Sequence, residues 1–205
     1  MITKILLLSA CAGHLICWRC DWIITYTPNR RFQFGDLRDN EKMSALFDGA
    51  PLSRPLESML LGVLALMLSF CGYLAIYEWV KPYSTVCTVI TAAMLAVFFL
   101  PGVVHHVICG AVEWFYIRLG RTEEAREAIL EFFKKTSVTM IVCYVGALIF
   151  CVTFFITVVS GATPLPRWAC VCNLLPIFIV LAPFRIVGTF NLASAVMFLG
   201  LAIMI

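Results

Sequence analysis

Long apolar runs separated by short polar segments set the organisation of this chain. Six runs are visible, at about residues 2–20, 56–79, 84–109, 137–160, 168–184 and 187–205. A helix needs about 20 apolar residues to cross a bilayer, and only helices satisfy every backbone polar group within such a segment. The pattern therefore predicts an all-α, polytopic membrane protein with six transmembrane helices in a single domain, residues 1–205.

The last two runs leave the number of crossings open. The fifth is short and contains Pro176 and Pro183, and little more than Arg185 separates it from the sixth. The two runs form either a tight hairpin or one broken element, so five crossings are also compatible with the pattern. Asn173 and Asn191 within them predict polar bonds between helices.

A helical repeat of apolar residues also appears in one of the polar loops. Apolar side chains follow at spacings of three and four residues from Ala125 to Phe133, which predicts an amphipathic helix. Thr122 can cap its start, and Lys134 and Lys135 suit its last turn. We expect this helix to lie on the membrane face or to pack under the bundle, and a short helix to form near residues 40–47.

Composition and charge fix the class and the orientation. Hydrophobic residues make up 62% of the chain, charged residues 13%, and the mean hydropathy is +0.96, which excludes an ordinary soluble domain. Twelve of the fifteen Lys and Arg residues lie in or beside loops on one predicted side. They are Arg19, Arg30, Arg31, Arg38, Lys42, Arg54, Arg118, Arg121, Arg126, Lys134, Lys135 and Arg185. The positive-inside rule makes that side cytoplasmic, with both termini outside, in a cell membrane such as a bacterial inner membrane. Topology explains these basic residues, so no nucleic-acid partner is predicted.

The first run has a second interpretation. Lys4 followed by apolar residues resembles a signal peptide, and residues 8–11 resemble a lipoprotein cleavage box. Because the apolar character continues past Cys11, we interpret residues 2–20 as an uncleaved first helix.

One polar pattern occurs twice inside apolar sequence. His14 and His106 are each followed by Cys three residues on, by a carboxylate seven residues on and by Trp eight residues on. Steps of three and seven return to nearly the same helix face. The pattern therefore predicts two matching stripes, on the first and third spans. An internal duplication and a coincidence both explain it.

Ionisable residues at membrane depth are the candidate ligand-binding residues, because such groups usually face a bundle interior or a wet cavity. The set is His14, Asp21, Arg54, Glu57, His105, His106 and Glu113. Of the two adjacent histidines we favour His106, because consecutive helix positions point about 100° apart and His106 shares the stripe of Cys109 and Glu113. The alternative is that these residues have structural roles. The histidines would be buried and bonded to backbone carbonyls, and the carboxylates would lie near helix ends. Arg54 and Glu57 would pair and anchor the second span.

Metal and redox chemistry receive little support. His, Cys and carboxylate side chains can bind zinc, but their spacing matches no standard zinc motif, so no metal site is predicted. Cys17 and Cys20 have thiol-redox spacing, but they lie toward the reducing cytoplasmic side. No disulfide is expected, and the sequence indicates no cofactor.

Several of these residues resemble a group of uncharacterised bacterial integral membrane proteins with six helices. The similar parts are Cys-Asp-Trp at 20–22 with the aromatic turn at 26–28, Arg54 ahead of residues 58–62, and the histidine of the third span. The resemblance implies a six-helix architecture for most of the chain. It implies no activity, because none is assigned to that group.

The leading functional hypothesis is a small transporter or ligand-binding protein. Its cytoplasm-facing polar cavity, lined by His14, Asp21, His106 and Glu113, would bind a small-molecule or lipid-like ligand and exchange protons through its histidines. The alternatives are an intramembrane lipid-modifying enzyme that uses a His/carboxylate pair, and a structural membrane subunit. The sequence sets neither the substrate nor the oligomeric state.

Overall fold

The computed structural model describes all residues, 1–205, and is all-helical, as the apolar pattern predicts. Four helical segments are long and apolar enough to cross a membrane: Ile2–Thr25, Ser53–Val80, Thr85–Arg118 and Glu123–Val159. Shorter apolar helices follow near the C-terminus. In chain order the α-helices are α1 (Ile2–Thr25), α2 (Asn40–Leu46), α3 (Ser53–Val80), α4 (Thr85–Arg118), α5 (Glu123–Thr136), α6 (Val138–Val159), α7 (Leu174–Leu181) and α8 (Thr189–Met204).

The membrane-length helices pack in a ring. Helix α1 packs against α3 and α8, α3 against α4, and α4 against α6, while α7 contacts both α6 and α8 and closes the ring. The fully buried ring of Tyr73 lies at its centre, with Phe99, Phe150 and Phe198 at centroid distances of 5.1, 5.1 and 4.8 Å. These edge-to-face contacts build an aromatic core from four different helices.

The fifth apolar run is a broken element and not a continuous helix. It consists of a 3-10 turn (Arg167–Val171), the eight-residue α7 and a second 3-10 turn (Ala182–Phe184). Asn173 stabilises the break, because its side chain accepts from the Leu175 amide at 3.0 Å and donates to the Cys151 carbonyl of α6 at 2.9 Å. The Leu175 amide freed by the break is therefore satisfied by the Asn173 side chain, which also connects the break to α6.

The two basic loops form a small layer beside one end of the ring, where α1 and α4 end. We call this the basic end, and the opposite end the far end. The loop helices α2 and α5 share a hydrophobic cluster with Tyr116 of α4, in which Met43 and Ile129 are buried. The Thr122 side chain accepts from the Ala125 amide at 3.2 Å. The amphipathic helix and its cap are thus confirmed, and the helix packs under the bundle.

An ion pair stabilises the first of these loops. Arg30 donates hydrogen bonds of 2.8 and 2.9 Å to the two oxygens of Asp36, which also accepts from the Gln33 amide at 2.8 Å. The hydrogen bonds from Arg30 hold the pKa of the Asp36 carboxyl below its ordinary value. The charged form of Asp36 is therefore the form that fits the folded loop.

Candidate polar site within the bundle

Polar side chains of four helices form a column that runs from the basic end into the bundle. We call it the polar column. Its members come from α1, α3, α4 and α8: His14, Asp21, Arg54, Ser58, His106, Glu113 and Asn191. Five of these seven are candidates that the sequence indicates.

Asn191 bridges His14 and Asp21 at the centre of the column. Its Nδ2 donates to Asp21 Oδ2 at 2.9 Å, and its Oδ1 lies 3.0 Å from Nδ1 of His14. An amide oxygen only accepts, so this arrangement requires a proton on Nδ1 of His14. The bridge therefore selects one histidine tautomer and connects it to a carboxylate.

The other nitrogen of His14 has no partner. The His14 side chain is 0% exposed, and its Nε2 makes no hydrogen bond. The ring stacks on Phe198 at 5.6 Å and 18°, and meets Tyr73 edge-on at 6.0 Å. A neutral His14 with its proton on Nδ1 thus directs a free lone pair into the aromatic core.

Local sequence places these groups together. His14 and Asp21 are seven residues apart on α1, so they lie on one face about two turns apart. Helix α8 starts beside Asp21 at Gly188, where a Cβ would lie 2.6 Å from Asp21 Oδ2. Trp18 donates to the Val187 carbonyl at 2.7 Å. The close approach at Gly188 puts the first turn of α8, which carries Asn191, against the polar face of α1.

His106 connects α4 to α3 rather than to α8. Its Nε2 lies 3.0 Å from the Ser58 carbonyl and therefore donates, and the Ser58 hydroxyl donates to the Cys20 carbonyl at 3.1 Å. Gly62 makes room for the ring, because a Cβ there would lie 1.8 Å from Nε2. A histidine bonded to a backbone carbonyl is the structural arrangement that the sequence left open.

Arg54 and Glu113 lie at the mouth of the column. The Arg54 guanidinium donates to the Ile23 and Tyr26 carbonyls, which lie where α1 ends. Glu113 is 7% exposed, its Oε1 has no hydrogen-bond partner, and it forms no ion pair with Arg54. The expected Arg54–Glu57 pair does not form, because Arg54 caps α1 and Glu57 is exposed on α3.

His105 lies outside the column, on another side of α4. Its Nδ1 is 3.4 Å from the Thr139 hydroxyl, and its Nε2 is 3.4 Å from Cys109 Sγ. Its ring also packs on Phe133, at a centroid distance of 5.8 Å. Cys109 therefore pairs with His105, four residues before it, and not with His106 as the stripe predicts.

The two copies of the repeated pattern are not equivalent in the fold. His14 bonds to an amide of α8, whereas His106 bonds to a backbone carbonyl of α3. No three His, Cys, Asp or Glu side chains are grouped so that they could hold a metal ion. All ten cysteines are free thiols, and Cys17 and Cys20 are buried. The column is thus an arrangement of proton-binding and hydrogen-bonding groups.

Two cavities lie apart from the column. An apolar groove of about 320 Å³ runs between α6, α7 and α8, and an open polar depression of about 520 Å³ lies over α2. The groove is lined by Tyr144, Ala147, Leu148, Cys151, Leu174, Leu175, Phe178 and Phe190. Neither cavity includes a residue of the column, whose side chains are packed together.

Two column residues were absent from the sequence-based site. The apolar context of Asn191 indicated an interhelical bond but not its partners, which lie 177 and 170 residues away. Ser58 gave no signal, because serine is common in apolar helices and its role here is to present a carbonyl and a hydroxyl. The sequence feature that could have identified Asn191 as a site residue is its amide side chain within a short apolar run.

Fold and site together fit a multi-pass helical membrane protein with a buried polar column. The chain belongs to a family of unknown function, DUF6796, which matches residues 1–205. No curated protein and no solved structure matches the chain. The family covers the whole chain, and the link to a bacterial six-helix group stays a prediction.

Proposed function

We propose that this protein is a small membrane transporter or ligand-binding protein whose polar column binds and releases protons. The observation that carries the proposal is the bridge in which Asn191 joins buried His14 to Asp21. Ionisable residues inside a membrane are costly and typically mark substrate, ion or proton pathways. A small-molecule or lipid-like solute is the proposed ligand, and the column also passes protons when that solute is absent.

The chemistry of the bridge suits reversible proton binding. Neutral His14 holds a free lone pair on Nε2, which is the atom that accepts a proton to form the imidazolium. The carboxylate of Asp21, on the other side of Asn191, supplies the opposite charge. Loading of a proton on Nε2 would form an imidazolium, and Asp21 would balance its charge across the Asn191 amide.

The proposal includes an orientation. Most of the basic residues lie at the basic end, so we place that end in the cytoplasm and both termini outside, in a cell membrane. Glu113 and Arg54 then face the cytoplasm, and His14 lies deeper. Protons would enter the column at Glu113.

Proteoliposomes with an internal pH-sensitive dye and an imposed pH gradient test the proposal. We expect wild-type protein to conduct protons, and Asp21→Asn and His14→Gln to lower the flux at least tenfold. Glu78→Gln is the matched control, because Glu78 is exposed at the far end and pairs only with Lys81. Flux no greater than that of protein-free liposomes, or equal flux in all variants, would contradict the proposal.

The enzyme alternative requires a histidine and a carboxylate that both reach the reacting lipid as general acid and base. Here His14 is fully buried and stacks on Phe198, which disfavours contact with a lipid. A chemically altered lipid, found by mass spectrometry after incubation with the protein, would instead support the enzyme.

A further inference from the structure

Two arginines from distant parts of the chain meet at the basic end without an acidic partner. Arg31 Nη2 donates to the backbone carbonyl of Arg185 at 3.4 Å, and the Arg31 guanidinium lies 5.8 Å from the centre of the Tyr26 ring. Both side chains are exposed. Neither takes part in any of the ion pairs of the protein. Two positive charges are therefore left without compensation at one place on the surface.

The backbone conformation at Arg185 is unfavourable for a residue with a side chain. Arg185 has φ 51°, in the left-handed region, where it ends the 3-10 turn Ala182–Phe184. Glycine adopts this conformation without the steric penalty that a side chain incurs. The Arg185 side chain makes no hydrogen bond or ion pair within the protein that would offset the penalty, since only its backbone is bonded. An anionic partner outside the chain would explain why an arginine occupies this position.

The surroundings of the two arginines have the character of a membrane interface. Ile179, Val180 and Phe184, which precede Arg185, are exposed and apolar, and Phe184 is 70% exposed. On the neighbouring α1, exposed Trp22 packs against Tyr26 at a centroid distance of 4.4 Å. Tryptophan and tyrosine concentrate at the level of lipid headgroups. Exposed apolar side chains, aromatic rings and arginines together are typical of the headgroup level of a membrane protein.

We propose that Arg31 and Arg185, together with Trp22 and Tyr26, bind the phosphate of an anionic phospholipid. We call these four residues the headgroup site. Guanidinium groups bind phosphate oxygens through paired N–H donors, and the two aromatic rings contact the glycerol region. An anionic headgroup brings no positive charge of its own near the arginines, whereas a choline headgroup does. The site is separate from the polar column and does not depend on proton exchange.

Lipid titration of the full-length protein tests the headgroup site. The protein is purified in micelles of neutral detergent, phosphatidylglycerol is added stepwise, and the Tm is followed. We expect the Tm to rise with phosphatidylglycerol and to change little with phosphatidylcholine. In the double variant Arg31→Gln/Arg185→Gln, about tenfold more phosphatidylglycerol should be needed for the same rise.

The control variant removes the same charge from the same end. Arg38 and Arg118 are exposed and make no ion pair, so Arg38→Gln/Arg118→Gln should respond like the wild type. An equal loss in this control would indicate diffuse attraction and overturn the site. An equal rise with inorganic phosphate would show that the arginines bind a free anion, and an equal rise with phosphatidylcholine would remove the selectivity. Either result contradicts the proposal.

Discussion

At the scale of single residues, the amide of Asn191 connects the two ionisable groups at the centre of the column, His14 and Asp21. It accepts from His14 and donates to Asp21 at the same time, over distances of 3.0 and 2.9 Å. Hydrogen bonds that involve a charged group contribute about 1.5–3 kcal/mol, and a buried polar atom left without a partner costs about 1–3 kcal/mol. One side chain thus balances two ionisable groups that would otherwise oppose folding.

Replacing Asn191 with alanine should therefore lower the free energy of unfolding by about 2–3 kcal/mol. Reversible unfolding in detergent measures the loss. The control is a double-mutant cycle with His14→Phe, which keeps the stacking on Phe198 but removes the nitrogen. In that background Asn191→Ala should cost clearly less, because only Asp21 is left without its partner. The same cost in both backgrounds would show that the bridge to His14 contributes nothing.

At the scale of helices, the sequence predicted the features whose contacts lie within one segment and missed those that depend on contacts between helices. Helix α5 and its Thr122 cap could be predicted, because spacing and cap lie within one segment. The face shared by His14 and Asp21 could be predicted for the same reason. The break in the fifth run could not, since it rests on Asn173 reaching the carbonyl of Cys151 on another helix. The pairing of Asn191 with His14 likewise needs the packing of α8 on α1.

The contact between α3 and α4 gives a prediction at this scale. Alanine in place of a helical glycine usually stabilises, by up to about 1 kcal/mol. At Gly62 the sign should reverse, because the new Cβ would overlap His106, and overpacking costs about 1–3 kcal/mol. Gly35→Ala is the control for an unobstructed site, since Gly35 lies in the 3-10 turn Phe34–Arg38 and nothing lies within 4 Å of the added carbon.

Thermal unfolding of the two glycine variants, and of Gly62→Ala combined with His106→Ala, measures the effect. Removing the imidazole should recover part of the stability that Gly62→Ala loses, because the overlap disappears. If Gly62→Ala were as stable as Gly35→Ala, the close packing of His106 on α3 would be wrong.

At the scale of the whole molecule, closing the ring with α8 brings both chain ends to the same end of the bundle. Helix α8 starts at the level of Asp21 and runs back along α1, so that Phe198 lies beside Gly72 and Ala10. The far end thus holds both termini and few charges, and the basic end holds the loop layer and the mouth of the column. Because the mouth of the column lies at the basic end, the orientation of the protein determines which side of the membrane the column opens to.

Labelling from one side of the membrane tests that orientation. Glu41 is exposed on α2 at the basic end, and Ala162 is exposed just after α6 at the far end. In intact cells a membrane-impermeant maleimide should label Ala162→Cys, and should label Glu41→Cys only after the membrane is permeabilised. The wild-type chain is the blank, because its ten cysteines are buried or half-buried. The reverse pattern would place the basic end outside, against the positive-inside rule, and would make Glu113 an entrance for protons from the exterior.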